Sequence, residues 1–193
     1  GFRIDMRELR ERLSPKTKLL ILNSPGNPTG SIMTEQDLGE IASALRGKGI
    51  YILSDEIYCR ILYEGTAKSI ASFPGMREYC IILDGFSKTY CMTGWRLGYG
   101  IMNEELAQNV TRLLINSNSC TTHFVQVAGI EALKGPQDSV SAMVAEYRRR
   151  RDLIVEGLNS MCGVSCRTPE GAFYAFPNIT GTGLDSAKLS TWL

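Results

Sequence analysis

Three short apolar runs, each closed by residues that stop a strand, restrict the fold of this chain more than any other feature. They are Lys18-Leu-Leu-Ile-Leu-Asn23, Gly49-Ile-Tyr-Ile-Leu-Ser54 and Tyr79-Cys-Ile-Ile-Leu-Asp84. Their length and continuous apolarity predict strands buried on both faces, the signature of a parallel sheet. Between the first two lies Thr34-Glu-Gln-Asp-Leu-Gly-Glu-Ile-Ala-Ser-Ala-Leu45, with a capping Thr34, with Leu38, Ile41, Ala42 and Leu45 on one side, and with Gly47-Lys48-Gly49 as its stop. Strand, helix, strand is a parallel crossover, so the expected class is α/β, a mostly parallel sheet with helices on both faces.

The later half is more helical. Asn103 caps an expected helix through about Ile115, and Thr122 another through about Leu133, before Pro136 breaks the chain. From about Gln137 to Met161, Val140, Met143, Val144, Tyr147, Ile154 and Leu158 recur at helical spacing and predict one long amphipathic helix. Short strands are expected at Val164–Cys166 and Phe173–Phe176. The domain boundary is therefore placed near Pro136: residues 1–135 form part of a larger α/β unit, and 136–193 a long linking helix and the start of a smaller α+β unit. The last segment, Asp185 to Leu193, starts like a capped helix and has no stop signal, so the sequence reads as a piece of a longer polypeptide.

Composition narrows the function. With 21 basic and 20 acidic side chains the formal charge is +1, which lacks the footprint of a nucleic-acid binder. The run Arg148 to Arg151 points around a whole helix circumference and is flanked by Glu146 and Asp152, as in a solvated, salt-bridged surface. Apolar stretches such as Leu19–Leu22 fall far short of the ~20 residues a membrane-spanning helix needs. Gly1 to Asp5 shows no signal-peptide pattern, so a cytosolic setting is expected. Six scattered cysteines without a Cys-x-x-Cys pair read as reduced and structural. One histidine, His123, leaves little room for a histidine-rich metal site or a Ser-His-Asp triad. Chemistry must then use Lys, Asp, Tyr, Arg or a cofactor.

Open parallel sheets bind ligands at the carboxyl ends of their strands. After the three runs come Asn23-Ser-Pro-Gly-Asn-Pro-Thr-Gly30, Asp55-Glu-Ile-Tyr58 and Gly85-Phe-Ser-Lys-Thr89. This arrangement predicts that Asn27, Asp55, Tyr58 and Lys88 converge. Those groups suit a pyridine cofactor that needs its ring nitrogen protonated, its phenolic oxygen hydrogen-bonded and its aldehyde held as an imine, namely pyridoxal 5'-phosphate. Nucleotide-binding glycine patterns and a nucleophile elbow are missing.

Four segments in order resemble the class I/II aminotransferases, fold type I enzymes that use pyridoxal phosphate. Besides Asn23–Gly30 and Asp55–Tyr58 they are Gly85-Phe-Ser-Lys-Thr-Tyr-Cys-Met-Thr-Gly-Trp-Arg-Leu-Gly-Tyr99 and Pro169-Glu-Gly-Ala-Phe-Tyr-Ala-Phe-Pro177. The resemblance implies that Lys88 forms the aldimine and is the general base, that Asp55 pairs with the ring nitrogen, and that Asn27 and Tyr58 bond the phenolic oxygen. It also implies a cis bond before Pro28, Arg96 on the cofactor phosphate, and Ser87 as a second phosphate contact. Gly85 departs from relatives that carry Ser there, and Cys91 from those that carry a small residue. The plainer readings are a turn cap for Asp55, a turn residue for Asn27, core packing for Tyr58 and local turn stabilisation for Ser87. Trp95 is read as core packing, His123 as a helix-start or interface residue, and Phe173, Tyr174 and Phe176 as an alternating half-buried strand.

The implied activity is transfer of an amino group from an L-amino acid to a 2-oxo acid by a homodimer. The Gly-Phe-Ser-Lys branch often carries the label aspartate aminotransferase. An upstream phosphate loop, a ring-stacking aromatic and a downstream carboxylate-binding arginine, all needed by the family, are expected outside this chain. Two other readings stand: a lyase on the same cofactor, and a non-catalytic aminotransferase-like sensing domain.

Overall fold

The apolar runs do become strands. In the computed structural model, which describes residues 2–193, β1 (Leu19–Asn23), β2 (Tyr51–Asp55), β3 (Cys80–Gly85) and β4 (Gly98–Ile101) form one sheet in that order. The first three are parallel, and β4 runs antiparallel to β3. The helices are α1 (Met6–Arg12), α2 (Glu35–Leu45), α3 (Phe86–Thr89), α4 (Glu104–Ser117), α5 (His123–Lys134), α6 (Asp138–Ser160) and α7 (Ser186–Trp192). The class is α/β with a mixed, mostly parallel sheet, as expected.

Helix α2 starts where the sequence places it. Thr34 Oγ1 accepts from the Asp37 amide at 3.2 Å, and Asp37 Oδ2 accepts from the Thr34 amide at 2.8 Å, a reciprocal box that satisfies two amides the helix leaves over. Leu38, Ile41, Ala42 and Leu45 are all buried, packed with Leu22, Ile52 and Cys80 from one face of the sheet. Met6, Leu9 and Leu13, from α1 and its end, join the same cluster.

The opposite face differs from expectation. Leu19, Ile21 and Leu83 are 43%, 65% and 37% exposed, so the described residues bury these runs on one side only. The reason lies in where the helices pack: α1 and α2 both cover the face carrying Leu20, Leu22, Ile52 and Ile82. A second cluster, Tyr58, Ile61, Tyr63 and Ala172, gathers Met143, Val144 and Tyr147 from α6.

Helix α6 forms as read, but Ile154 is 52% exposed while the adjacent Val155 is buried. Arg149 and Arg150 both pair with Glu146, at 2.9 and 2.7 Å, and their hydrogen bonds pull its carboxyl down to about 2. Arg151 leaves that solvated surface: its guanidinium stacks over Tyr63 at 4.6 Å and donates to the Pro169 carbonyl at 3.3 Å.

The two short strands expected in the last third do not form. Ser165 pairs with Asn178 in a single bridge, and the amide and carbonyl of the next residue, Cys166, are both taken by the side chain of Asn159. Residues 173–176 join no strand among the described residues, and Ala172 just before them turns the backbone into the left-handed region at φ +56°. Among the described residues no helix is long and apolar enough to cross a membrane.

The difference between the two sheet faces is measurable by urea denaturation. Ile52→Ala is expected to cost about 2–5 kcal/mol, as for a fully buried isoleucine. Ile21→Ala in the same chain is expected to stay within about 0.5 kcal/mol.

Candidate active site

Parallel register sets Asn23 beside Asp55, and Asp55 beside Leu83, at the carboxyl ends of β1, β2 and β3. From there Asn23 organises the first loop. Its Oδ1 accepts from the Asn27 amide at 2.7 Å, and its Nδ2 donates to the Asp55 carbonyl at 3.3 Å. The Ser24–Pro25 and Asn27–Pro28 peptide bonds are cis. The loop ends at Gly30, where φ is +65° and a Cβ would stand 2.5 Å from Pro169 Cβ and 3.0 Å from the Gly171 oxygen. Only glycine fits both demands. The Gly30 carbonyl accepts from the amides of Glu170 and Gly171, at 2.8 and 2.9 Å, and so docks the fourth motif onto the first.

That docking delivers Tyr174. Its hydroxyl lies 2.5 Å from the Tyr58 hydroxyl, and it accepts from Asn27 Nδ2 at 3.3 Å. Burial first, then the Tyr174 hydrogen bond and charge, hold the Tyr58 phenol well above the ordinary tyrosine range, so Tyr58 keeps its proton. Lys88, on α3, places Nζ 5.9 Å from the Tyr58 ring centroid and 5.5 Å from that of Phe173. It forms no ion pair among the described residues. Asp55 Oδ1 accepts from the Ile57 amide at 3.2 Å, which realises the turn-cap reading for one of its two oxygens.

Asn27, Tyr58 and Lys88 are thus brought together with Asp55 at the adjoining strand end. Ser87 precedes Lys88 on α3, half-buried. Arg96 is not joined to them: it is exposed, its backbone is left-handed at φ +52°, and its Nη1 donates to the Thr93 carbonyl at 2.7 Å. It lines an open groove of about 1010 Å³ with Trp95, Asn118 and Phe124. Trp95 is not a core residue. It is 45% exposed and meets Phe124 edge-on at 6.4 Å, because the turn that carries it lies at the groove rim. Gly85 has its own steric cause, since a Cβ there would stand 3.0 Å from Gly98 Cα where β3 and β4 close up.

Behind the site lies a layer of polar groups. Glu56 Oε1 accepts from the hydroxyls of Ser54 and Ser69, at 3.0 and 2.7 Å. Asp84 accepts from the Gly85 amide at 2.6 Å and from Tyr99 at 2.9 Å. Burial pushes the thiols of Cys59 and Cys80 up to about 12 and about 11, which keeps both unreactive. All six cysteines are free, but Cys91, Cys120 and Cys162 are exposed and do not serve as core packing. His123 opens α5.

Two residues at the site were not singled out by sequence. Asn23 sits inside a recognised motif yet shows its role only through its two backbone partners. Tyr174 reads as strand packing because it alternates with phenylalanines, and its hydroxyl is the one chemical signal that sets it apart.

A profile of the family described as "Aminotransferase class I and II" matches residues 1–192. The chain is 43% identical over 192 residues to aromatic-amino-acid aminotransferase 2 of Thermococcus litoralis, covering 98% of this chain and 49% of that protein. It is 40% identical over 195 residues to an aspartate aminotransferase of Pyrococcus horikoshii, covering 100% of this chain and 50% of that one. A solved aromatic aminotransferase from Pyrococcus horikoshii superposes with a TM-score of 0.94 at 40% identity, over 98% of this chain and 52% of its own. The chain spans about half the length of these relatives.

Glu56 gives this region a pH signature. Burial raises its carboxyl against the two serine hydrogen bonds that lower it, so the folded state favours the protonated form. Its contribution is full below the ordinary glutamate range near ~4.3 and is lost as pH rises through the raised value. Thermal melts from pH 4 upward are expected to fall more steeply for the wild-type chain than for Glu56→Gln.

Proposed function

On the premise that this chain belongs to the class I and II aminotransferases, we propose that its site holds pyridoxal 5'-phosphate and transfers an amino group from an L-amino acid to a 2-oxo acid. The observation that carries the reading is the pair Asn27 and Tyr58, which already hold an aryl oxygen between them, that of Tyr174. A cradle that takes one phenol oxygen fits the phenolic oxygen of the cofactor.

When bound, pyridoxal phosphate supplies an aldehyde that captures amines and a protonated ring that withdraws electrons. The chain's own groups do the rest. Asn27 Nδ2 and the protonated Tyr58 hydroxyl donate to the phenolic oxygen. Asp55, at the end of β2, holds the proton on the ring nitrogen with its carboxylate. Lys88 anchors the aldehyde carbon and moves the proton at the substrate α carbon. For that work its Nζ is set against the Tyr58 and Phe173 rings and forms no ion pair among the described residues. Arg96 and Ser87 hold the phosphate; for Arg96 this requires its guanidinium to leave the Thr93 carbonyl, and a planar guanidinium suits a phosphate well.

The division into residues 1–135 and 136–193 belongs to the same proposal, supported by the break at Gly135 and Pro136 ahead of α6. So does a homodimer, supported by the exposure of Leu113, Ile115 and Phe124, at 70%, 62% and 66%. The substrate class follows relatives named for aspartate and for aromatic amino acids.

The complete gene product mixed with pyridoxal phosphate is expected to give a visible band that borohydride fixes covalently to the protein, and Lys88→Ala to give none. A band that persists in Lys88→Ala overturns the assignment. With aspartate or an aromatic amino acid and 2-oxoglutarate, Asp55→Asn is expected to lower kcat by about 10²–10⁴. Tyr58→Phe and Asn27→Ala are each expected to lower it by about tenfold, for one lost hydrogen bond.

A further inference from the structure

Tyr174 is a phenol seated in a cradle that fits a phenol. We propose that Tyr174 is an internal occupant of the Asn27–Tyr58 cradle, and that its side chain must be displaced for the phenolic oxygen of the cofactor to enter. The inference rests on the cofactor reading above and adds to it a competitor carried by the chain itself.

The hydrogen bonds state the competition. The Tyr174 oxygen accepts from Asn27 Nδ2 at 3.3 Å and shares a 2.5 Å bond with the Tyr58 hydroxyl. A phenol oxygen has two lone pairs and one proton, so it meets both groups at once and fills the position between them that a second aryl oxygen would need, although Asn27 keeps its other N–H. The ring is held in place as well, packing against Tyr58 at 5.6 Å and Phe173 at 4.9 Å between centroids.

The structure also provides somewhere for the ring to go. Tyr174 borders a cavity of about 290 Å³ whose other walls include Tyr63, Tyr147, Ile154 and Phe173. A rotation about the side-chain bonds of Tyr174 would carry the ring out of the cradle into this space, which Arg150 and Arg151 also line. The backbone need not follow, because it is pinned just upstream. Ala172 donates its amide to the Ile61 carbonyl at 2.9 Å and accepts from the Tyr63 hydroxyl, and Gly30 holds the amides of Glu170 and Gly171. Displacement is thus a rotamer change of one side chain on a fixed segment.

Two readouts on the complete gene product test this, each comparing wild type with Tyr174→Phe, which keeps the ring and its packing. The first follows association of pyridoxal phosphate by stopped-flow absorbance. Removing the competing oxygen is expected to speed association by roughly 2- to 10-fold, the worth of one protein hydrogen bond. An unchanged or slower rate, with the borohydride-reducible band present in both proteins, overturns the inference and leaves the cofactor reading standing. A slower rate with weaker binding would make Tyr174 a third partner of the cofactor instead. Absence of the band from both proteins removes the cofactor reading, and this inference with it.

The second readout needs no cofactor. Tyr58 is faced by Tyr174, Asp55, the ring of Phe173 and Lys88 above its own ring. In an ultraviolet titration of the tyrosines, Tyr174→Phe is expected to remove one phenol and to move the ionisation of Tyr58 to lower pH. If the remaining curve does not move, the contact is not made in solution and the inference falls.

Discussion

Hydrogen bonds between three parallel strands hold Asn23 beside Asp55 and Asp55 beside Leu83, and the site is built outward from that alignment. Parallel pairing places all three carboxyl ends on one rim, so the loop after each strand opens onto the same space. A slip of one residue would exchange the faces of the sheet, moving Leu22 and Ile52 out of the core along with Asp55 out of the site. Core packing and site geometry are therefore enforced by the same register. The α2 crossover secures it, since its apolar side fits only the face that carries these residues.

Onto this rim the chain folds back from 140 residues away. The contact between Gly30 and the Glu170–Gly171 backbone is too close for side chains, and Gly171 in turn has Pro25 and the Ile61 carbonyl within 3.0 Å of where its Cβ would be. Two motifs distant in sequence are thus halves of one joint. Its effect is to set Tyr174 against Asn27 and Tyr58, and Phe173 against Lys88, adding a second ring to the one that Tyr58 already presents to the lysine.

Much of this was legible beforehand. The three runs, the capped helix between them and the long helix after Pro136 are local patterns, and each formed within a few residues of its expected place. The convergence of Asn27, Tyr58 and Lys88 followed from strand polarity. Helix α1 and strand β4 were not read: α1 is mostly charged, and β4 is the short Gly98-Tyr-Gly-Ile101, apolar enough to pair but without a run to announce it. The expected strands at 164–166 and 173–176 failed, the first stopping at one bridge where the Asn159 side chain competes for the Cys166 backbone and the second following a left-handed turn at Ala172. Periodicity carries no information about such competitors.

By itself the sequence determined the parallel crossover of the α/β core, the caps at Thr34 and Asn103 though not the one expected at Thr122, and the identity of the groups at the strand ends, because these depend on apolar spacing and on the fixed polarity of a parallel crossover. Tertiary structure alone decided which face of the sheet is covered, that Arg96 turns back to Thr93 while Trp95 lies open, and that Tyr174 belongs to the site. Those outcomes depend on contacts between residues far apart in the chain, and a hydroxyl that finds its partners 116 and 147 positions away leaves no local trace.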